Sequence, residues 1–318
     1  MGQRWIKCYG DATSIPGAAP TNYFNGINIP GGPIQSIMIR LEMVAAAQVA
    51  ATDVSTLLTN LRFTLNGDVV HDARYIGADN TSVQAGRSGY FYNAIGGRCA
   101  QTVDDPLAPD AWWEIPVGIN LPSGNNRLEV ASSWLASAAA VASGEFSVWV
   151  RYNTDLKETT LVAPSTSYTS AIALEQVVIR VPSTAGMVVD SVFIQNDADL
   201  DELGVQGVRA NALGDYGFSA SMMRFVTDEL KNGIIFGDEG ASTTAAQFAT
   251  SRLGCFILPT FGLTGGDVYL QVDSTAATTR TYSPVLRGPV GSSAIGGGVQ
   301  TLMVPAEPSS ALVRAVEN

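Results

Sequence analysis

The stretch Leu61-Arg-Phe-Thr-Leu-Asn-Gly-Asp-Val-Val-His71 contains the clearest structural signal in this chain. Apolar and polar residues alternate from Leu61 to Leu65, which is the period of a strand with one buried face. Asn66 and Gly67 follow directly, and both residue types accept the positive φ angles that a two-residue hairpin turn requires. We therefore predict a β-hairpin at this position and a chain that is built from sheets.

Strand patterns recur along the rest of the chain, separated by turn clusters such as Pro122-Ser-Gly-Asn-Asn126. Few segments have apolar residues at the spacing of a helix. We predict a helix over 221–231, which ends at Asn232-Gly233, and a second over 82–95, which glycines interrupt. The predicted strands are 37–44, 61–65, 69–71, 113–117, 127–130, 145–152, 174–181, 188–195, 255–258, 267–272 and 280–286.

The order of these elements repeats in the two halves of the chain. The matching segments are 61–68 and 192–197, 112–130 and 255–272, and 145–152 and 280–286. The first pair is offset by 192 − 61 = 131 positions, whereas the unit of a solenoid has about 20–50 residues. We therefore predict an all-β chain of two consecutive eight-stranded antiparallel jelly rolls (β-sandwiches) with short helical insertions.

The changes in composition predict five regions. Residues 1–33 form an N-terminal arm, 34–158 the first jelly roll, and 159–171 a linker rich in Ser and Thr. Residues 172–287 form the second jelly roll. Residues 288–318, with a Gly- and Ser-rich stretch at 291–298, form a C-terminal arm that needs an external surface to order it.

The composition excludes several classes of protein. The 318 residues carry 18 Lys and Arg against 29 Asp and Glu, a net charge of −11, which is the wrong sign for a non-specific nucleic-acid binder. A single His argues against a His-rich metal enzyme, and 46% apolar residues argue against disorder. Only 15% of the residues are charged, against about 25% on average, and Lys is scarce, which suits surfaces that end up in contacts. The start has no signal-peptide pattern and no segment is long and apolar enough to span a membrane, so we expect synthesis in a cytoplasm. The three cysteines are widely spaced and are expected to stay reduced.

Candidate sites are few. His71 is the only imidazole and is interpreted as an ordinary hydrogen-bonded histidine at a strand end. Four acidic residues have the spacing of Ca²⁺ ligands: Asp197, Asp199, Asp201 and Glu202. They depart from the EF-hand pattern. Two interpretations therefore stay open, a calcium-binding loop and a solvated acidic loop. No other cofactor and no catalytic residue is predicted.

The aromatic residues allow two interpretations, as contacts within or between subunits or as a carbohydrate-binding surface. Trp5, the Trp112-Trp113 pair and Tyr90-Phe91-Tyr92 are interpreted as core residues or subunit-contact anchors. As sugar-stacking platforms they would instead indicate a two-domain carbohydrate-binding or adhesin-type β-sandwich, such as a phage spike or lectin. A carboxylate glycosidase would need Glu114 paired with Glu129 or Glu145, and nothing in the sequence singles these residues out.

Over residues 34–286 the duplicated order of elements resembles the double jelly-roll major capsid proteins of membrane-containing icosahedral bacteriophages, of the corticovirus-like and Finnlake-type groups. The resemblance implies a non-enzymatic capsid subunit of the virion that assembles as homotrimers, which tile a shell as pseudo-hexagonal blocks. It also implies contacts with neighbouring capsomers and with minor capsid or vertex proteins, and no direct contact with nucleic acid. Arg4, Trp5 and Lys7 of the N-terminal arm are expected to touch an internal membrane. The excursions 74–110 and 204–252 are expected to form towers or side contacts.

Overall fold

The computed structural model describes residues 3–13, 21–45, 58–75, 91–92, 94–102, 110–134, 141–169, 174–181, 187–196, 205–210, 217–219, 255–264, 266–274, 279–289 and 305–306. Strands account for almost all of them. The first half contains β1 (Gln3–Thr13), β2 (Thr21–Ala45), β3 (Leu58–Leu65), β4 (Asp68–Arg74), β5 (Arg98–Thr102), β6 (Asp110–Trp134), β7 (Val141–Asn153) and β8 (Thr159–Val162). The second half contains β9 (Thr166–Thr169), β10 (Leu174–Val181), β11 (Val188–Asn196), β12 (Val205–Ala210), β13 (Gly217–Ser219), β14 (Cys255–Thr264), β15 (Gly266–Ser274), β16 (Thr279–Gly288) and β17 (Pro305–Ala306).

The described strands form two sheets. Twelve belong to one sheet in the order β1-β7-β2-β6-β3-β4-β8-β16-β11-β14, where β5 also pairs with β6 and β9 with β16. Five form a second sheet in the order β13-β12-β15-β10-β17. Apart from one parallel bridge between His71 and Val162, the pairings in the described ranges are antiparallel, as predicted.

The predicted hairpin at Asn66-Gly67 is confirmed. β3 and β4 pair antiparallel and are joined by Asn66 and Gly67, whose φ angles of 53° and 94° are both positive. Two positive φ angles match the right-handed twist of the flanking strands. The Asn66 side chain also accepts a hydrogen bond from the Arg127 backbone N–H at 2.8 Å, which fixes the turn against β6.

The cluster Pro122–Asn126, interpreted as a turn between two strands, instead forms a bulge inside β6. β6 is one 25-residue strand that pairs with β2 on both sides of this cluster. A Cβ on Gly31 of β2 would lie 2.0 Å from the Pro122 carbonyl oxygen, so only glycine allows this close approach. The Asn126 amide closes the bulge by donating to the Pro122 carbonyl at 3.0 Å.

Three predicted regions contain more sheet than their composition indicated. Residues 159–171, predicted as the linker, contribute β8 and β9, which both pair with β16. Residues 1–33, predicted as the N-terminal arm, contribute β1 and the first part of β2. In the predicted C-terminal arm, β17 pairs with β10. The Ser and Thr content of 159–169 indicates a linker, but the branched Cβ of Thr also favours strands. The five boundaries themselves stay predictions.

The predicted helix over 82–95 has a helical end among the described residues. Phe91, Tyr92 and Ala94 are helical, and Gly96 follows at a φ of 88°. The Gly97 N–H donates to the Tyr92 carbonyl at 2.7 Å, which is the closing hydrogen bond of a Schellman cap. The predicted helix over 221–231 lies outside the described residues. Among the helices that the structure describes, none is long and apolar enough to cross a membrane.

Candidate assembly surface

Four neighbouring strands, β1, β7, β2 and β6, present one face to the core and the other outward. In β7, Phe146, Val148 and Val150 are buried, so Trp149 and Arg151 lie on the opposite face, because successive side chains alternate. The register then places Trp5 of β1 opposite Arg151. We call this side the outer face, and define it by Trp5, Lys7, Ser36, Arg40, Asp110, Trp112, Glu114, Trp149 and Arg151.

Cations stack on the tryptophan rings of the outer face. The Arg151 guanidinium lies 4.9 Å from the ring centroid of Trp5, and the Arg40 guanidinium lies 5.1 Å from that of Trp112. Lys7 Nζ lies 5.9 Å from the ring centroid of Trp149. All three distances are within the range of cation–π attraction, about 6 Å. The Trp112 and Trp149 centroids are 6.2 Å apart, so the rings form a continuous layer.

Carboxylates fix the arginines that stack on these rings. Arg40 Nε lies 2.9 Å from both carboxylate oxygens of Asp110, and Nη2 lies 2.7 Å from Oδ2. Glu114 Oε1 accepts a hydrogen bond from Arg151 Nη1 at 2.9 Å and from the Ser36 hydroxyl at 2.7 Å. The two-pronged contact of Arg40 with Asp110 restricts the rotamers of both partners. The described carboxylates of the outer face therefore hold side chains in place.

Trp5 is the outermost residue of this layer. Its exposed fraction is 42%, and it is the one exposed large apolar side chain among the residues whose burial the structure describes. Its neighbours Arg4 and Lys7 are also exposed. A ring that is fixed on one side and exposed on the other has the properties of a contact anchor.

The adjacent tryptophans Trp112 and Trp113 lie on opposite faces of β6. Trp113 is fully buried, whereas Trp112 is half-buried on the outer face. The interpretation of Trp113 as core is therefore right, and the pair does not form the two-ring platform that a sugar would need. Phe91 and Tyr92 are fully buried, and Tyr90 lies outside the described residues.

His71 lies in the core, within an aromatic cluster defined by Phe63, His71, Tyr75, Phe91, Tyr92 and Phe193. Its Nε2 is 2.9 Å from the Tyr92 hydroxyl oxygen, as expected of a hydrogen-bonded histidine. It lies inside β4 and not at a strand end, since β4 continues to Arg74. Burial lowers the pKa of His71 to about 3, so the imidazole is neutral at ordinary pH. With an exposed fraction of 1% it does not meet solvent.

The aromatic cluster also joins the two halves of the chain. Phe91 stacks on Phe193 of β11, with ring centroids 4.6 Å apart. Nearby, Arg287 of β16 binds Glu158 at 2.8 Å and Asp190 at 3.2 Å, and Arg287 Nη2 donates to the Ile95 carbonyl oxygen at 3.3 Å. Sequence reasoning did not single out this junction.

The predicted calcium ligands Asp197, Asp199, Asp201 and Glu202 lie outside the described residues. Within the described part of the chain, no group of three His, Cys, Asp or Glu side chains is placed to hold a metal ion. Cys8 and Cys99 form no disulfide, and burial raises the pKa of their thiols to about 11 and about 12. Protonated thiols of this kind are poor nucleophiles and poor metal ligands.

Comparison with known proteins gives similarity in structure alone. No protein-family model matches the chain, and no curated protein matches its sequence. A chain of the atomic structure of Sulfolobus turreted icosahedral virus (STIV) is similar with a TM-score of 0.59 at 10% identity, over 90% of this chain and 91% of that chain. The chain has the double jelly-roll fold. The crystal structure of the STIV major capsid protein gives a TM-score of 0.56 at 10% identity, over 91% of this chain and 97% of that chain. The major capsid protein of bacteriophage PM2 gives a TM-score of 0.48 at 10% identity, over 92% of this chain and 100% of its own.

The predicted fold class is therefore confirmed as an all-β double jelly roll. The resemblance to capsid proteins of membrane-containing viruses is confirmed at the level of the fold. Since the similarity covers about nine-tenths of both chains, it includes both jelly rolls.

Proposed function

We propose that this chain is the structural subunit of an icosahedral viral capsid. The observation that carries the proposal is the double jelly-roll similarity to the STIV major capsid protein over 91% of this chain and 97% of that chain. The fold alone does not define a function. The composition supports the same conclusion, because a surface poor in Lys and low in charge suits permanent contacts between copies.

The proposed assembly unit is a homotrimer. Three copies, each with two similar jelly rolls, give six similar blocks around an axis, and such a pseudo-hexagonal unit tiles a shell. Neighbouring capsomers are its main partners, with minor capsid or vertex proteins at special positions. The chain is then made in the host cytoplasm and located in the virion.

The proposed role is not enzymatic. On the outer face Glu114 and Asp110 are engaged by Arg151 and Arg40, which suits scaffolding and not acid–base chemistry. A net charge of −11 keeps the shell from holding nucleic acid directly. Contact with an internal membrane through the N-terminal arm, and calcium at the 197–202 loop, stay predictions.

Sedimentation velocity of the purified chain tests the proposal. A trimer has a mass of 3 × 33.4 = 100.2 kDa. We expect this species at micromolar concentration, measured both with Ca²⁺ and with a chelator. A strictly monomeric chain at high micromolar concentration under both conditions would overturn the proposal.

A further inference from the structure

The end of the twelve-stranded sheet carries basic and aromatic side chains at the exposed margin of the outer face. β1 is the first strand in the sheet order, and among the described strands only β7 pairs with it. We define the edge corner as Trp5 and Lys7 of β1 together with Arg151 of β7. Trp5 and Lys7 are both exposed.

Trp5 is held in place before any partner binds. Ser36, which is 2% exposed, donates to Glu114, and Glu114 in turn holds Arg151. The Arg151 guanidinium then covers one face of the Trp5 ring at 4.9 Å. Because the ring is already restricted, a partner does not have to restrict it on binding, and this lowers the entropic cost of association.

The free edge of β1 is poorly suited to pair with a further strand. The register of β1 on β7 shifts between Lys7 and Tyr9, so the strand bulges at Cys8. Bulges and charged side chains at an edge are the usual protection against the addition of a further strand. Contacts at the edge corner are therefore made by the side chains of Trp5 and Lys7.

The charge of the edge corner is opposite to that of the whole chain. Lys7 and Arg151 are cations, and the described carboxylate beside them, Glu114, is engaged with Arg151 and Ser36. The chain carries 29 acidic against 18 basic residues. Another copy of the chain is therefore negatively charged as a whole, and complementary charge favours both encounter and register.

We propose that the edge corner docks on an acidic surface of a second copy of this chain, with Trp5 as the anchor. This inference rests on the proposed function, since it names the surface through which capsid subunits meet. Where the corner and the acidic surface lie apart on the subunit, their contact is head-to-tail, and it closes into a ring when the rotation permits. Such closure is what a trimer needs.

The experiment compares the self-association of the full chain with that of four variants by sedimentation velocity over a range of concentrations. Trp5→Ala is expected to weaken association at least tenfold, because it removes the anchor. Lys7→Glu is expected to weaken it similarly, and most strongly at low salt. Trp5→Phe keeps a ring under Arg151 and is expected to lose less than Trp5→Ala.

Lys157→Glu is the matched control, because Lys157 is another exposed lysine and lies in the segment between β7 and β8. We expect its association to stay within twofold of the natural chain. Thermal unfolding followed by circular dichroism checks that each variant is folded. If Trp5→Ala does not fold, Lys7→Glu and Trp5→Phe decide the outcome.

The outcomes separate the inference from the proposed function. If the natural chain does not associate, the proposed function fails and the inference fails with it. If the natural chain associates and Trp5→Ala and Lys7→Glu associate equally well, only the inference is overturned. Vesicles of phosphatidylcholine and phosphatidylserine form the last arm. Binding of these vesicles that depends on Trp5 and Lys7, with association unchanged, would assign the corner to a membrane and overturn the inference.

Discussion

Acidification from pH 7 to pH 5 should destabilise this protein through His71, the one histidine of the chain. His71 is 1% exposed, and burial lowers its pKa from 6.5 to about 3. The unfolded chain takes up a proton near pH 6.5, whereas the folded chain stays neutral there down to about pH 3. The unfolded state therefore binds more protons between these values, and stability falls as the pH falls.

The size of this loss of stability follows from the lowered pKa of His71. Each pH unit below 6.5 costs about 1.4 kcal/mol, so the loss at pH 5 is about 2 kcal/mol. Since the folded-state pKa of His71 is about 3, the loss of stability reaches about 5 kcal/mol near pH 3. A loss of about 2 kcal/mol is large for a protein whose net stability is about 5–15 kcal/mol.

Other ionisable groups near His71 do not add to this loss of stability between pH 7 and pH 5. Burial raises the pKa of Tyr75, Tyr92 and Cys99, so all three stay neutral from pH 7 to pH 5. Burial also raises the pKa of Asp72, although Arg62 opposes the effect. A raised carboxyl pKa stabilises the folded state as the pH falls, so Asp72 opposes His71 at the acid end.

The assay is urea denaturation at pH 7, 6 and 5, followed by tryptophan fluorescence. The natural chain should lose stability in this range, whereas His71→Gln should start lower and show a much flatter dependence on pH. Equal slopes for the two proteins would refute the reasoning, as would a natural chain with no slope at all.

Three further predictions concern the junction of the halves and the bulge in β6. Phe193→Ala should cost about 3–5 kcal/mol in urea denaturation, because the side chain is fully buried against Phe91, and a loss below about 1 kcal/mol would contradict this packing. Arg287→Ala should lower the free energy of unfolding by about 1–2 kcal/mol, because it removes contacts to Glu158, Asp190 and the Ile95 carbonyl. Arg62→Ala is the control, because Arg62 Nε lies 3.9 Å from the Asp72 carboxylate, and it should lower the free energy of unfolding by less than half as much. Gly31→Ala should lower the thermal midpoint by several degrees, since its Cβ would lie 2.0 Å from the Pro122 carbonyl oxygen, and an unchanged midpoint would show that the bulge can relax.

The strands were predictable where side chains alternate. The hairpin at Asn66-Gly67 follows from local chemistry, and so does the burial of Trp113, which shares a strand face with Ile115 and Val117. The same alternation places Trp112 on the other face. The pairing of Trp112 and Trp113 as one platform therefore ignored a signal that was present in the sequence.

The bulge at Pro122–Asn126 was not predictable, because a hairpin turn and a bulge use the same residue types. Only the pairing of β6 with β2 on both sides of the cluster decides between them. In β8 and β9, Ser and Thr suggested a linker, but both strands are fixed by pairing with β16, more than 100 residues later in the chain.

The outer face could not be read from the sequence, because its contacts are distant along the chain. Trp5 and Arg151 are 151 − 5 = 146 positions apart and meet only because β1 is a neighbour of β7. The sequence did identify Trp5 as a residue that could make an external contact. The sequence could not show that the Arg151 guanidinium stacks on the Trp5 ring.

The most direct test of the proposed capsid role is to measure the protein composition of icosahedral particles purified from the source of this sequence. Mass spectrometry of such particles, with copy numbers set against the particle mass, gives the stoichiometry of each chain. The account predicts that this chain is the most abundant protein of the particle and that its copies number a multiple of three. Particles in which this chain is absent or is only a minor component would contradict the account.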